Sequence, residues 1–313
     1  MKTNSLLQNG ILNAIGNTPL VQLKKIVPEN CAAIYLKLEY FNPTGSYKDR
    51  MALSIISEAE RKGILKPGMT VVEFTGGSTG TSLALVCSAK GYSFKAVSSD
   101  AFAKEKLKSM EMFGAELVVI PSVDGKITPE LFADMTRMVE QLTTSGNAFR
   151  PDQFYNTDAL KGYQEMGKEI LDHIGRPVDV FCAGVGTAGM LTGVATELKK
   201  KNPATRVVAL EPASAPLIST GVKGSHKIEG IGVGIIPPLL HKDQYDEILE
   251  IDETDARMMA KLLVTQEGIL AGTSSGLNVV AAIALGKKLG PDYAVVTVAC
   301  DSGMKYFAGG LFD

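Results

Sequence analysis

Hydrophobic and polar positions along the chain alternate in blocks. Apolar runs bounded by Gly or Pro fall at 33–39, 70–75, 93–99 and 116–120, and amphipathic segments separate them at 47–63, 78–90, 103–113 and 129–144. A strand buried on both faces reads as a near-continuous apolar run, and its crossover helix as a stripe of period 3.6. The pattern therefore predicts a mostly parallel sheet covered by helices. A second series follows: helix 158–174, strand 178–183, helix 188–200, strands 205–210 and 247–251, helices 254–267 and 275–289, and strand 293–299. Ahead of both come a short helix, the turn Asn17-Thr18-Pro19-Leu20 and a strand from Val21 to Leu23. The segment Pro212 to Leu240 has several Gly and Pro residues and little periodicity, and reads as a long functional loop spanning a cleft. No internal repeat is visible.

Composition narrows the class. At 313 residues the chain is long enough for two domains, and its 45% hydrophobic content suits a soluble globular protein. A net charge of −2 offers no basic face, so neither nucleic acid nor an anionic membrane is expected as a partner. The first ten residues lack a sustained apolar segment, and no run approaches the ~20 apolar residues of a membrane span, which points to the cytoplasm. Cys31, Cys87, Cys182 and Cys300 form no CxxC pair and read as small buried hydrophobes in a reducing compartment. His173, His226 and His241 are not spaced to share a site, so no metal is expected.

Three strand-to-helix turns carry the chemistry. Asn42-Pro43-Thr44-Gly45-Ser46-Tyr47-Lys48 ends a strand and opens a helix, which places Lys48 at a helix N-terminus. The positive end of the helix dipole disfavours a cation there, and a neutral amine is a nucleophile. Read alone, Lys48 fits a solvated helix-start lysine better than a nucleophile. The other two turns are Glu73-Phe74-Thr75-Gly76-Gly77-Ser78-Thr79-Gly80 and Gly184-Val185-Gly186-Thr187-Ala188-Gly189-Met190. Each aims free N–H groups and hydroxyls at the start of a helix, where a phosphate or carboxylate is readily held.

Together with Gly16-Asn17-Thr18-Pro19-Leu20, Gln153-Phe154-Tyr155-Asn156, Glu229-Gly230-Ile231-Gly232, Gly272-Thr273-Ser274-Ser275-Gly276 and Asp301-Ser302-Gly303, these turns resemble, in order and over nearly the whole chain, the fold-type II pyridoxal-phosphate (PLP) enzymes of the cysteine synthase and cystathionine β-synthase family. The resemblance implies two doubly wound α/β domains, as in the tryptophan synthase β subunit, with PLP in the cleft between them. A smaller inserted domain would span 43–152, and a larger one 1–42 with 153–313. Lys48 would form the aldimine with PLP and then remove the substrate's α-proton. Gly184, Gly186, Thr187, Ala188, Gly189 and Met190 would form the phosphate cup, Ser78 would face the ring hydroxyl and Ser302 the ring nitrogen. Thr75, Gly76, Gly77, Thr79, Gln153 and Gly230 would hold a small amino-acid substrate. The implied reaction is β-replacement or β-elimination on an activated serine or cysteine through an α-aminoacrylate, in a homodimer, with cysteine synthesis from O-acetylserine and sulfide leading.

The chain also departs from the family pattern. Ala188 and Met190 stand where Gly-Thr-Gly-Gly-Thr is usual, and Gly76 and Ser78 where Thr-Ser-Gly-Asn-Thr is usual. The two departures in the substrate loop remove a side chain and shorten another, so a roomier substrate site is expected. A cysteine β-lyase or a cystathionine-forming enzyme would use the same groups. A threonine dehydratase is disfavoured, because its relatives carry a Ser-Gly-Asn-His loop. The larger cystathionine synthase architecture, with haem-binding and regulatory extensions, is not expected.

Two other classes compete. Gly184-Val185-Gly186-Thr187-Ala188-Gly189 is also a GxGxxG after a strand, with Glu211 ending the next strand, as in an NAD-dependent oxidoreductase. That reading leaves Lys48 and Thr75–Thr79 without a role. A non-catalytic protein on the same fold would predict loss of the lysine, and Lys48 is present.

Overall fold

The computed structural model describes residues 10–144, 146–309 and 311. In chain order the elements are β1 (Leu20–Gln22), β2 (Ala33–Leu38), α1 (Lys48–Arg61), β3 (Thr70–Phe74), α2 (Ser78–Lys90), β4 (Ser93–Ser99), α3 (Lys104–Met112), β5 (Glu116–Ile120), α4 (Pro129–Thr143) and β6 (Ala148–Phe149). They continue with α5 (Ala159–Ile174), β7 (Val180–Gly184), α6 (Gly189–Lys201), β8 (Arg206–Pro212), α7 (Leu217–Thr220), β9 (Glu247–Ile251), α8 (Glu253–Leu262), α9 (Thr273–Leu289) and β10 (Ala294–Ala299). The apolar runs thus became strands and the amphipathic segments helices. The short helix expected near the start is a 3-10 turn at Gly10–Ala14, and residues 1–9 lie outside the described residues. Four elements among the described residues escaped the periodicity: β6 and α7, which are very short, and 3-10 segments at Glu39–Phe41 and Gly303–Gly309.

Local chemistry sets the helix ends. Thr128 caps α4 by accepting the Leu131 N–H at 3.2 Å, with Pro129 at the first helical position. Asp252 caps α8 by accepting from Thr254 and Asp255, and those two donors hold its carboxyl below the usual range. Gly91 closes α2 with φ +79°, a conformation glycine adopts without strain.

The chain divides into two compact units. The first takes residues 10–15 and 48–159 of those described, and the second Gly16–Tyr47 and Leu160 onward, against the 43–152 expected for the inserted domain. The limits follow hydrogen bonds. Gly45 and Tyr47 are bonded to Ser302 and Cys300 of the second unit, while Asp158 accepts from Ser54 and Lys62 of the first.

In the first unit the sheet order is β5-β4-β3-β6, all parallel. Neighbouring residues on its strands face opposite sides. Val71 and Ala96 pack with Ile56 of α1 and Leu83 of α2, whereas Val72 and Val97 pack with Leu131, Met135 and Val139 of α4. In the second unit the order is β1-β2-β10-β7-β8-β9, parallel except for the edge pair β1–β2. Every residue of β7 and β10 is buried. Leu277 and Val279 of α9 join Val180 and Val295 in the core of this unit. All four cysteines are free thiols and buried, and burial pushes Cys87 and Cys182 up to about 12. Among the described residues no helix is long and apolar enough to cross a membrane.

Candidate active site

The first unit carries the turn after β3. The Thr75 hydroxyl oxygen accepts the N–H groups of Gly77 (3.3 Å) and Gly80 (3.1 Å), folding the turn back onto the first turn of α2. Gly77 is the N-cap of α2 and supplies no side-chain cap. The first-turn N–H groups of α2 are therefore not capped by the residue before the helix, which suits an anion. Thr79, 5% exposed, donates its hydroxyl to Gln153 Oε1 at 2.6 Å. With its oxygen so engaged, the Gln153 amide is oriented with its nitrogen, two donors, turned elsewhere. The structure thus brings together Thr75, Gly76, Gly77, Ser78, Thr79 and Gln153.

Glu73 supports that arrangement and was missed in the sequence. Its buried carboxylate accepts the N–H groups of Phe74 (3.0 Å) and Gln153 (3.3 Å), pinning the backbone of Gln153 to the end of β3. Burial pushes its carboxyl up to about 7. Asp152 adds to the rise, and Arg150 and the two backbone donors oppose it. A charged residue inside the apolar run Val71-Val72-Glu73-Phe74 was the available signal.

Lys48 is the first residue of α1, as its place after the Asn42–Tyr47 turn predicts, and it is 8% exposed. The next residue, Asp49, is fully buried and accepts the Ser82 hydroxyl of α2 at 2.5 Å. This charge-assisted bond ties the first turn of α1 to the helix that follows Thr75–Thr79.

One expectation is corrected here. Gly76 does not open space, because a Cβ built on it would lie 2.2 Å from two ring carbons of Phe102. The ring fills the volume that a serine side chain would need.

The second unit carries the other turns, at the C-terminal ends of β7 and β10. Asn278 of α9 accepts the Gly184 N–H at 2.8 Å and donates to the Val298 carbonyl at 2.8 Å, joining the ends of the two strands. It too was missed, although an Asn in the apolar run Leu277-Asn278-Val279-Val280 marked it. Gly186 has no room for a side chain, since a Cβ would meet the Gly230 carbonyl oxygen at 2.3 Å. Gly232 N–H donates to Val185 at 3.0 Å, so the Glu229–Gly232 segment lies along the turn. Ala188, the N-cap of α6, sits at φ +66°, where an L-residue is strained by about 1–2 kcal/mol. It offers no side-chain cap, and Gly189 and Met190 begin the helix. Gly184 to Met190 thus form one tight turn with Gly230 against it, and its backbone geometry suits an anion.

Beyond β10, the Ser302 N–H donates to Gly45 at 3.0 Å, and Tyr47 N–H donates to Cys300 at 3.1 Å. Gly45 needs its freedom at φ +68° with the Ser302 Cβ only 3.3 Å from where its own would stand. The chain just before Lys48 is thereby fastened to the segment bearing Ser302. The Ser302 hydroxyl oxygen accepts the Met304 N–H at 3.3 Å, and Asp301 accepts the Tyr306 hydroxyl at 2.7 Å.

Glu211 disposes of the dinucleotide reading. Its two carboxylate oxygens accept the Ile218 and Ser219 N–H groups at 2.7 and 2.8 Å, and it is 1% exposed. An acid that caps α7 in this way is not presented to a ribose.

The family model described as pyridoxal-phosphate dependent enzyme matches residues 11–301. The chain belongs to this family. Its cofactor is accordingly PLP, and the fold is that of the fold-type II members. The cysteine synthase of Staphylococcus aureus (strain N315) is 40% identical over 307 residues, covering 97% of each chain. The O-ureido-L-serine synthase of Streptomyces lavendulae is 38% identical over 309 residues, covering 98% of this chain and 93% of that one. Among solved structures, the O-acetyl serine sulfhydrylase isoform 3 from Entamoeba histolytica superposes with a TM-score of 0.91 at 35% identity, over 97% of this chain and 91% of that chain.

Proposed function

We propose that the protein is a PLP-dependent β-replacement enzyme that makes cysteine from O-acetylserine and sulfide. The observation that carries the reading is the pairing of a buried helix-start lysine, Lys48, with the substrate turn Thr75–Thr79 locked to Gln153. Similarity to cysteine synthases over nearly the whole chain supports it.

The residues fit the cofactor. The cradle at Gly184–Met190 is lined by backbone, closes too tightly at Gly186 for any Cβ, and opens α6 without a side-chain cap, as a phosphate dianion requires. Lys48 would hold the aldehyde carbon, Ser78 the ring hydroxyl and Ser302 the ring nitrogen. When bound, PLP supplies the electron sink that lets the substrate's α-proton and β-substituent leave.

This chain's own groups do the rest. Thr75, Gly76, Gly77, Thr79 and Gln153 bind the substrate carboxylate, through donors at the start of α2, which Gly77 leaves without a side-chain cap, and through the Gln153 amide. The Lys48 amine takes the α-proton and returns it after sulfide has formed its bond to the β-carbon, acetate having left with the electrons of the broken C–O bond. Gly230 closes on the cradle from the Glu229–Gly232 segment.

Borohydride reduction of the purified protein followed by peptide mapping should place the pyridoxyl label on Lys48, and a label on another lysine would refute the assignment. Turnover of O-acetylserine with sulfide should exceed sulfide release from cysteine, whereas the reverse order would make the protein a β-lyase. The family resemblance also carries a homodimer and a cytoplasmic location, which analytical ultracentrifugation and cell fractionation test.

A further inference from the structure

Helix α3 and the segment before it lie against residues 76–80. Cβ atoms built on Gly76, Gly77 and Gly80 would meet Phe102, Lys106 and Met110, at 2.2, 3.7 and 2.4 Å respectively. Lys106 and Met110 lie four apart on one face of α3, and Phe102 precedes the helix, so the three side chains together cover three glycines of residues 76–80. Gly80 and Met110 are core contacts beneath α2, and Lys106 only grazes Gly77. Phe102 is different, because it meets the one glycine that stands where the family pattern has a side chain.

Phe102 is also held in place. Its N–H donates to the Ser99 carbonyl at 3.2 Å, the Ala101 N–H donates to the Ser99 hydroxyl at 3.2 Å, and Asp100 accepts the Ser122 N–H at 2.7 Å. Its ring packs against the apolar cluster around Val97 and Leu131. The half-buried ring cannot retreat cheaply, so a side chain at 76 and the ring at 102 exclude one another.

We infer that Phe102 is a specificity-determining residue, its ring standing in the volume of the missing side chain at 76 and giving the substrate loop an apolar wall in place of a hydroxyl. The inference rests on the β-replacement reading. A loop so built grips the carboxylate without a side chain at 76, through its backbone and the Gln153 amide, and favours a substrate whose β-substituent is weakly polar, such as an acyl ester, over one bearing a free hydroxyl.

The test is a double-substitution cycle on the PLP-loaded protein with Gly76→Ser, Phe102→Ala and both together, read by melting temperature and by kcat/KM for O-acetylserine and serine with sulfide. Gly76→Ser alone should melt several degrees lower, and adding Phe102→Ala should recover most of that loss, the signature of two groups competing for one space. Phe102→Ala should reduce the preference for O-acetylserine over serine by about 2–10-fold, the worth of one lost contact. Melting shifts that simply add overturn the exclusion, and an unchanged preference overturns the specificity role. If Phe102→Ala does not fold, Phe102→Leu carries the same cycle with more apolar volume retained. A wild-type protein that turns over neither substrate overturns the β-replacement reading and the specificity role with it, while the melting cycle still decides the packing claim, so the two failures are told apart.

Discussion

Replacing Glu73 by Gln tests whether a buried, titrating carboxylate underlies the substrate loop. Glu73 is fully buried and its carboxyl is pushed up from 4.5 to about 7, by burial first and by Asp152 second, against the pull of Arg150 and two backbone donors. A folded-state pKa above the unfolded value means that the folded protein binds the extra proton between those limits. Stability from this group is therefore fully present below about pH 4.5 and is lost as pH rises through 7. At 1.36 kcal/mol per unit the loss is roughly 3 kcal/mol. Glutamine does not titrate and keeps one acceptor, so it leaves one of the Phe74 and Gln153 N–H groups unpaired at a cost of about 1–3 kcal/mol. Glu73→Gln should thus be the less stable protein at pH 5 and equal or superior at pH 8. Amide hydrogen exchange in β3 and β4, followed from pH 5 to 8 and corrected for the intrinsic rate, reports the first unit separately from the second. The difference between variant and wild type should change by roughly 3 kcal/mol over that range. Parallel stability curves would refute the reasoning and place the Glu73 proton elsewhere.

Gly186→Ala should weaken PLP affinity by more than about 30-fold, near 2 kcal/mol, because its Cβ meets the backbone oxygen of Gly230 and neither side can yield; equilibrium dialysis of cofactor-free protein measures it, and an unchanged affinity would remove Gly186 from the cradle. Gln153→Ala deprives the Thr79 hydroxyl of its acceptor and the loop of its amide donors, so KM for the amino acid should rise about 10-fold with kcat within about 3-fold; steady-state kinetics showing the loss in kcat instead would contradict a binding role. Ser302→Ala should retain PLP in its visible spectrum yet slow substrate consumption by about 10-fold in stopped-flow mixing, while Ser302→Asp should divert the chemistry; if Ser302→Ala altered neither, Asp301 would become the next candidate.

Most of the architecture was legible because buried parallel strands and their crossover helices have distinct periods. Strands β3, β4, β5 and β9 begin where the apolar runs begin, and α2 spans the expected residues. What periodicity could not register was brief or irregular. β6 has two residues and α7 four, too few to establish a period, and the Gly303–Gly309 segment is a 3-10 helix, whose period of three differs from the 3.6 of an α-helix. The site was legible where turn chemistry is local, as at Lys48, Thr75–Thr79 and Gly184–Gly189. It was illegible where a distant residue decides the outcome. Nothing at Gly76 itself announces Phe102, twenty-six positions on, and the expectation that Gly76 would open space failed for that reason. Glu73 and Asn278 were visible only as polar interruptions of apolar runs, a signal that marks a buried hydrogen-bonding role without naming its partners.

The choice between Asp301 and Ser302 as the ring partner turns on what each group already does. Asp301 is 7% exposed and accepts the Tyr306 hydroxyl, whose own ionisation is pushed far up by burial and by that carboxylate. It sits in a bridge with Ser46, on the strand pairing that fastens the turn before Lys48. An acid so employed braces the second unit. The Ser302 oxygen, by contrast, accepts the Met304 N–H, which leaves the hydroxyl proton to be donated. A donor hydroxyl satisfies a lone pair, whereas a carboxylate would demand a proton there. In the proposed role Ser302 therefore keeps the facing nitrogen uncharged. The weaker pull on electrons that results favours expulsion of a β-substituent over transfer of the amino group, in keeping with a β-replacement enzyme.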